Sequence, residues 1–293
     1  MKVFIDSSIV DGSEARVPVT DHGLLYGDGV FEGIRSFAGR IFRLDDHLAR
    51  LATSARFIAL EIPGGLDAVR GIVIDTVRAF GRPDAYIRLL VTRGEGELGV
   101  DPSSCARPRV ICIVDEVAIY PPEVRRRGLA LHTVSVRRSA PDVLDPRVKS
   151  LNYLSSVMAK LEARRCGADE ALILNAAGQV AEAAVANVFV VSRGELRTPP
   201  PTDGALEGIT RASVLELARA LGLVARERSL GRVDLFGADE VFLTGTGVGI
   251  VPVRSLDGRP VGGDFPGPVT EKLQQAFAEL VRQTGVPVEP LAG

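Results

Sequence analysis

Lysine is scarce in this chain. Lys2, Lys149, Lys160 and Lys272 are the only four among 35 basic residues, and the rest are arginine. An amine can lose its proton and attack a carbonyl, whereas a guanidinium in a protein stays charged. Lys149, in Arg147-Val148-Lys149-Ser150-Leu151-Asn152-Tyr153, is therefore the candidate Schiff-base nucleophile. Taken alone, that residue reads better as a surface lysine in a polar loop.

Two stretches suit an anion. In Glu207-Gly208-Ile209-Thr210-Arg211 a glycine turn opens into a helix, where free N–H groups and the dipole favour phosphate. The competing reading there is a plain N-cap by Thr210. In Thr244-Gly245-Thr246-Gly247, after a strand, small residues admit a ligand to the backbone and two hydroxyls can donate. Neither has Walker or Rossmann spacing. Glu182 sits among small apolar residues, and a carboxylate buried there needs a partner. A protonated pyridine nitrogen would serve, and so would an arginine; an exposed loop Glu is the alternative. Alternation puts Tyr86 and Arg88 on one strand face, a possible carboxylate fork, unless they merely decorate a surface strand.

These residues need a frame. Val3–Ile5, Val30–Phe37, Arg40–Phe42, Tyr86–Thr92 and Val110–Val114 read as strands. Leu44, Leu48, Leu51, Ala55 and Ile58 have helical spacing, with Asp45 as N-cap. Leu66 to Phe80 reads as a second helix stopped by Gly81 and Pro83. A break at Pro121-Pro122 suggests a boundary, giving 1–116, a linker 117–126, and 127–293. Beyond it, Leu129–Val136, Glu170–Leu174, Val188–Val191 and Val241–Leu243 read as strands. Helices are expected from Leu154 to Arg165, from Ile209 to Leu221 with a stop at Gly222, and over Thr270–Gln283. The layering is α+β.

Composition is that of an ordinary soluble globular protein, 46% hydrophobic and 25% charged, with a net charge of -2. No basic patch points to nucleic acid; Arg125-Arg126-Arg127 reads as a solvated turn. Cys105, Cys112 and Cys166 lack metal-ligand spacing and suit a reducing compartment, and His22, His47 and His132 build no metal site. With neither signal peptide nor apolar span, a cytoplasmic protein without membrane partners is expected.

At this point the chain resembles the fold-type IV aminotransferases dependent on pyridoxal 5'-phosphate, and among them the branched-chain amino acid enzymes. The likeness rests on Tyr26-Gly27-Asp28-Gly29-Val30-Phe31-Glu32-Gly33-Ile34-Arg35, on His47-Leu48-Ala49-Arg50-Leu51 and on Tyr86-Ile87-Arg88. It continues through Lys149-Ser150-Leu151-Asn152-Tyr153-Leu154, Glu182 with Asn187, Gly208-Ile209-Thr210-Arg211, and Thr244-Gly245-Thr246 before Pro252-Val253-Arg254.

The resemblance implies two domains, a small α/β one at the N-terminus and a larger one with a pseudo-barrel sheet and helices. It implies a Schiff base on Lys149 and a phosphate held by Arg50, Ile209, Thr210 and Thr246. Tyr153 would bond the cofactor's phenolic oxygen, and Glu182 its pyridine nitrogen, with Asn187 also on the cofactor side. Tyr26, Phe31, Gly33, Arg35, Tyr86 and Arg88 would form the substrate pocket. The backbone at Gly247 and Val248 would receive the α-carboxylate. Leu, Ile and Val would exchange amino groups with 2-oxoglutarate, as in branched-chain amino acid biosynthesis, in a homodimer or higher homo-oligomer. Two loops depart from the family: Ala183 and Ala186 around Glu182, and Gly247-Val248-Gly249 where two alanines and a glutamate are usual. A D-amino acid or (R)-amine transaminase, a 4-amino-4-deoxychorismate lyase and a catalytically dead relative are the alternatives.

Overall fold

A computed structural model describes residues 1–116, 119–263 and 265–288. Val117 and Ala118, which open the expected linker, lie outside the described residues, as do 264 and 289–293 of the expected C-terminal domain. The chain forms two compact units of mixed helix and strand. One comprises Met1–Val117, Val148–Asn152 and Val281–Gly293; the other comprises Ala118–Arg147 and Tyr153–Leu280.

The first unit is built on a seven-stranded sheet. Its order is Val286–Pro287, Arg40–Ile41, Gly29–Phe37, Ala85–Thr92, Arg109–Asp115, Lys2–Ile5, Ser8–Asp11, with every pair antiparallel. Val30, Ile34, Ile87 and Leu89 are buried with Leu44, Leu48 and Leu51 of helix Leu44–Phe57 and with Val69, Val73 and Val77 of helix Gly65–Phe80. The apolar period seen in the sequence is thus the core face of both helices. The first helix begins differently from expectation. Its N-cap is Arg43 in the left-handed region (φ 50), not Asp45, which stands with Asp46 inside the first turn. Carboxylates there favour the positive dipole end without capping it. The second helix ends on left-handed Gly81, as expected.

One edge of this sheet decides the position of Lys149. Of strand Gly29–Phe37, the short strand Arg40–Ile41 reaches only Ser36 and Phe37, leaving the start without a strand on that side. The segment Val148–Asn152 lies along it. Phe31 N–H donates to the Lys149 carbonyl at 3.0 Å, Val30 bridges Ser150, and Leu151 N–H donates to the Gly29 carbonyl at 2.9 Å. Backbone groups of an edge are thereby satisfied. The fit requires glycine: a Cβ on Gly29 would stand 2.6 Å from the Val91 carbonyl oxygen and 2.7 Å from Leu151 Cδ1.

The second unit carries a nine-stranded mixed sheet. Asn187–Ser192 pairs with Glu240–Gly245, which pairs with Gly249–Leu256, both antiparallel. Gly249–Leu256, Leu129–Arg137 and Glu170–Leu174 then run parallel, and Val180–Ala183 closes that end antiparallel. Helix Leu154–Arg165 packs Ala159 and Ala163 with Val134, Ala171 and Ile173. Its larger residues Leu154, Val157, Met158 and Leu161 face outward, so the apolar stripe that marks the helix is not its core side. The charged run Arg125-Arg126-Arg127 ends a short helix, Pro122–Arg127, rather than forming a turn.

Gly29→Ala is expected to cost about 1–3 kcal/mol in urea unfolding, since the edge cannot accept a methyl without moving. The same substitution should accelerate hydrogen exchange at the Leu151 amide. Unaltered protection there would mean that the segment tolerates a wider gap than its contacts allow.

Candidate active site

The candidate residues fall into two sets, one in each unit. In the first, strand Gly29–Phe37 alternates. Val30, Glu32 and Ile34 face the helices, while Phe31, Gly33 and Arg35 face the opposite side. In the neighbouring strand Arg88 stands opposite Gly33, and Tyr86 opposite Arg35. Phe31, Gly33, Arg35, Tyr86 and Arg88 therefore share one face, as alternation requires. Glycine at 33 lets Tyr86 lie close, because a Cβ would meet Tyr86 Oη at 2.5 Å and the phenol would have to shift. Phe31 carries two cations: Lys149 Nζ is 4.3 Å and Arg88 Cζ 4.5 Å from its ring centroid. An aromatic face attracts both by its quadrupole. Lys149 is also fixed at its backbone, where its N–H donates to Ser54 Oγ at 3.1 Å. Tyr26 is tied elsewhere in this unit. Its phenol oxygen accepts the Gly99 N–H at 2.7 Å and its ring stands edge-on to His22.

Glu32, on the helix-covered face, is wholly buried. It takes a two-point fork from Arg50, Nε to Oε1 and Nη2 to Oε2, both at 2.8 Å, and a 2.8 Å contact from His47 Nδ1. His47 and Arg50 are three apart on one helix, which places both over the same carboxylate. Burial opposes the charge on Glu32, but Arg50 and His47 outweigh it and bring the carboxyl down to about 2. Burial, with Arg50 and Lys149 adding to it, lowers His47 despite the opposing pull of Glu32. Neither Glu32 nor His47 stands out in the sequence as a site residue. The signal was a Glu at a core-facing strand position, which cannot be buried without a cation.

In the second unit, Glu182 lies on strand Val180–Ala183, not on a loop, and is buried. Its Oε1 pairs with an Arg138 guanidinium nitrogen at 2.9 Å. Its Oε2 accepts from Asn187 Nδ2 at 3.3 Å and from the Leu206 amide at 3.1 Å. Ala183 N–H donates to the Ala186 carbonyl at 2.8 Å, closing the tight connection that sets Asn187 beside Glu182. Ala183, Ala184 and Ala186 are buried there, where larger side chains would have to find room. A Cβ on Gly208 would fall 2.0 Å from Asn187 Oδ1.

Gly208 is the N-cap of helix Ile209–Ala220 and supplies no side-chain cap, so the reading of Thr210 as the cap does not hold. Ile209 and Thr210 occupy the first turn, whose N–H groups have no intrahelical acceptor. Strand Glu240–Gly245 delivers Thr246 and Gly247 in a turn closed by Val248 N–H to the Gly245 carbonyl at 3.1 Å. The Val248 side chain is buried in the core of this unit, and Arg125 Nη1 donates to its carbonyl at 2.6 Å. Tyr153 is half-buried at the start of helix Leu154–Arg165 and lines an open cavity of about 670 Å³ with Tyr120, Lys160, Ala184 and Val185. Among the described residues, no group of His, Cys, Asp and Glu is arranged to hold a metal.

The family model for class IV amino-transferases matches residues 29–256. The chain belongs to the class IV aminotransferases. A Methanocaldococcus jannaschii relative is 45% identical over 98% of this chain and 99% of its own. The branched-chain-amino-acid aminotransferase of Escherichia coli K12 is 37% identical over 95% of this chain and 92% of its own. A crystal structure of the E. coli enzyme superposes with a TM-score of 0.93 at 36% identity, covering 100% of this chain and 97% of that one. The branched-chain amino acid aminotransferase from Thermobaculum terrenum, solved in its PLP-bound holo-form, gives 0.86 at 34% identity over 96% and 94%. In this aminotransferase the two curled sheets of those structures reappear with the expected α+β layering.

Acid should expose the Glu32 network. Its folded carboxyl titrates near 2 against 4.5 for an unperturbed group, so unfolded chains bind more protons in that window. The stability that Glu32 contributes is fully present above about 4.5 and is lost as pH falls towards 2. The lowered His47 acts in the same direction, since the unfolded imidazole protonates first as pH drops below its ordinary 6.5. Urea unfolding from pH 7 to pH 3 should show a steady fall that Glu32→Gln largely removes from the lower window. At neutral pH that variant should be less stable by about 3 kcal/mol, because it leaves the Arg50 guanidinium without its counter-charge.

Proposed function

We propose that this aminotransferase moves amino groups between the branched-chain L-amino acids and 2-oxoglutarate, with pyridoxal 5'-phosphate as cofactor. One observation carries the reading: Lys149 is held by main-chain pairing against Phe31, on whose ring it meets the Arg88 cation. The donor set suits a phosphorylated pyridine aldehyde. The first unit offers an amine; the second, by itself, offers a helix start with no side-chain cap, a close Gly208–Asn187 approach and a buried carboxylate.

Bound there, the cofactor supplies the electron-accepting ring and the carbonyl carbon that receives an amino group. Lys149 would hold it through Nζ and carry the proton to and from the substrate's α-carbon. Arg50, whose plane Glu32 fixes, would hold the phosphate with the Ile209 and Thr210 amides and the Thr246 hydroxyl. Tyr153 would donate to the phenolic oxygen. Glu182, steadied by Asn187, would face the ring nitrogen. Tyr26, Phe31, Gly33, Arg35, Tyr86 and Arg88 would shape the substrate pocket. Phe31 suits an apolar side chain, while the Arg88 guanidinium suits the second carboxylate of glutamate. Gly247 would offer its amide to the α-carboxylate, and Val248 would hold the turn that presents it.

A homodimer or higher homo-oligomer in the cytoplasm is part of the same proposal. The outward apolar stripe of helix Leu154–Arg165 supports self-association, with Leu154 72% and Met158 50% exposed. Cys105, Cys112 and Cys166 are free thiols, in keeping with a reducing compartment. No helix among the described residues is long and apolar enough to cross a membrane.

Hydride trapping followed by peptide mass spectrometry should place the cofactor adduct on Lys149. Lys149→Ala should lose the adduct and slow turnover roughly 10⁴-fold. With racemic leucine, isoleucine or valine and 2-oxoglutarate, only the L form should be consumed; consumption of the D form would sink the substrate assignment. Light scattering should report a dimer or larger, and Met158→Lys with Leu161→Lys should shift it towards monomer.

A further inference from the structure

Glu182 is engaged on both oxygens by groups of its own unit. Asn187 and the Leu206 amide hold one of them, and Arg138 holds the other. The guanidinium is itself nearly buried, at 12% side-chain exposure. It donates to Ser156 Oγ at 3.2 Å and to the Ala183 carbonyl at 3.1 Å, so one cation ties the carboxylate, the helix Leu154–Arg165 and the backbone after Glu182. Its stem is enclosed as well. Gly204 adopts φ 98, and a Cβ there would stand 3.2 Å from Arg138 Cβ. Arg138 follows strand Leu129–Arg137, and its own N–H donates to the Leu174 carbonyl at 3.0 Å. A buried charge held by this many directed contacts is a built feature.

We propose that Arg138 is a positioning residue for the amino-transfer reaction, fixing both the charge and the direction of Glu182. The proposal rests on the reading that Glu182 faces the cofactor's ring nitrogen. A buried carboxylate without a cation is driven towards the neutral acid. A hydrogen shared between that acid and a pyridine nitrogen then resides on oxygen, and the ring stays neutral. A guanidinium on the far oxygen favours the charge-separated arrangement, with the hydrogen on nitrogen. A protonated ring is the stronger electron acceptor. Lysine cannot replace this arginine, because a single ammonium lacks the planar fork that reaches Glu182, Ser156 and Ala183 together.

The test uses the full chain with and without pyridoxal 5'-phosphate, in R138M, R138K, E182Q and the double variant R138M/E182Q. Without cofactor, R138M should lower the melting temperature by roughly 6–15 °C, because it strands a buried charge. The double variant, which removes both charges, should recover most of that loss. With cofactor, R138M should bind about tenfold more weakly, the loss expected for one charged hydrogen bond. The ¹⁵N resonance of ring-labelled cofactor should move from the protonated to the unprotonated position in R138M and part of the way in R138K. If R138M does not fold, R138K carries the ring-nitrogen measurement. Wild-type affinity with a ring nitrogen still protonated in these variants would overturn the role of Arg138 while leaving the Lys149 adduct intact. A wild-type chain that takes up no cofactor would instead remove the reading on which the proposal rests.

Discussion

Three main-chain contacts decide where the amine stands. Phe31 to Lys149, Val30 to Ser150 and Leu151 to Gly29 bind a five-residue stretch to a strand edge that the sheet leaves open. A lysine side chain has four rotatable bonds and little reason to rest in one place. Fixing its backbone on an edge and laying its head on Phe31 restricts that freedom, as the role proposed for it would require. The same strand carries Gly33, whose missing side chain lets Tyr86 close in, and Glu32, which holds Arg50 from the opposite face. One strand thus organises the amine, an aromatic wall and the arginine proposed for the phosphate, using nothing beyond the two-residue alternation of its side chains.

Among the carboxylates that each unit buries, one is held by an arginine beside the candidate residues. Glu32 takes a fork from Arg50 and a contact from His47; Glu182 takes Arg138, Asn187 and the Leu206 amide. Such pairs add little net stability, since desolvation offsets most of the attraction, but they are costly to break on one side only. What they provide is direction. Arg50 is held with its guanidinium plane set by two parallel bonds, and Glu182 with both oxygens engaged. In both cases a group assigned to the cofactor is aimed by a second group that would not touch it.

The apolar periods of helices Leu44–Phe57 and Gly65–Phe80 and the strand face shared by Tyr86 and Arg88 were legible from the sequence, because period and alternation are local. What was not legible depended on distance along the chain or on exception. Arg138 lies far from Glu182, and no local pattern links them. The strand under Glu182 is mostly alanine and valine around one charge, with no alternation to mark it, and alanine has weak β preference. Arg43 adopts a left-handed cap that Asp45 would fill more conventionally. Helix Leu154–Arg165 shows a clear stripe, but small residues face its core, since close approach to the strands behind it favours alanine over leucine. Periodicity finds such a helix and mistakes its orientation.

The first unit also has an unusual relation to the order of synthesis. Its sheet begins with Lys2–Ile5, yet one flank receives Val286–Pro287 and another stretch is covered by Val148–Asn152. Of the two units, the one whose strands come earlier in the chain is therefore completed after the other. Until Val286–Pro287 emerges, a partly made sheet with an open border must wait, which is when a nascent chain is most exposed to sticking to its neighbours.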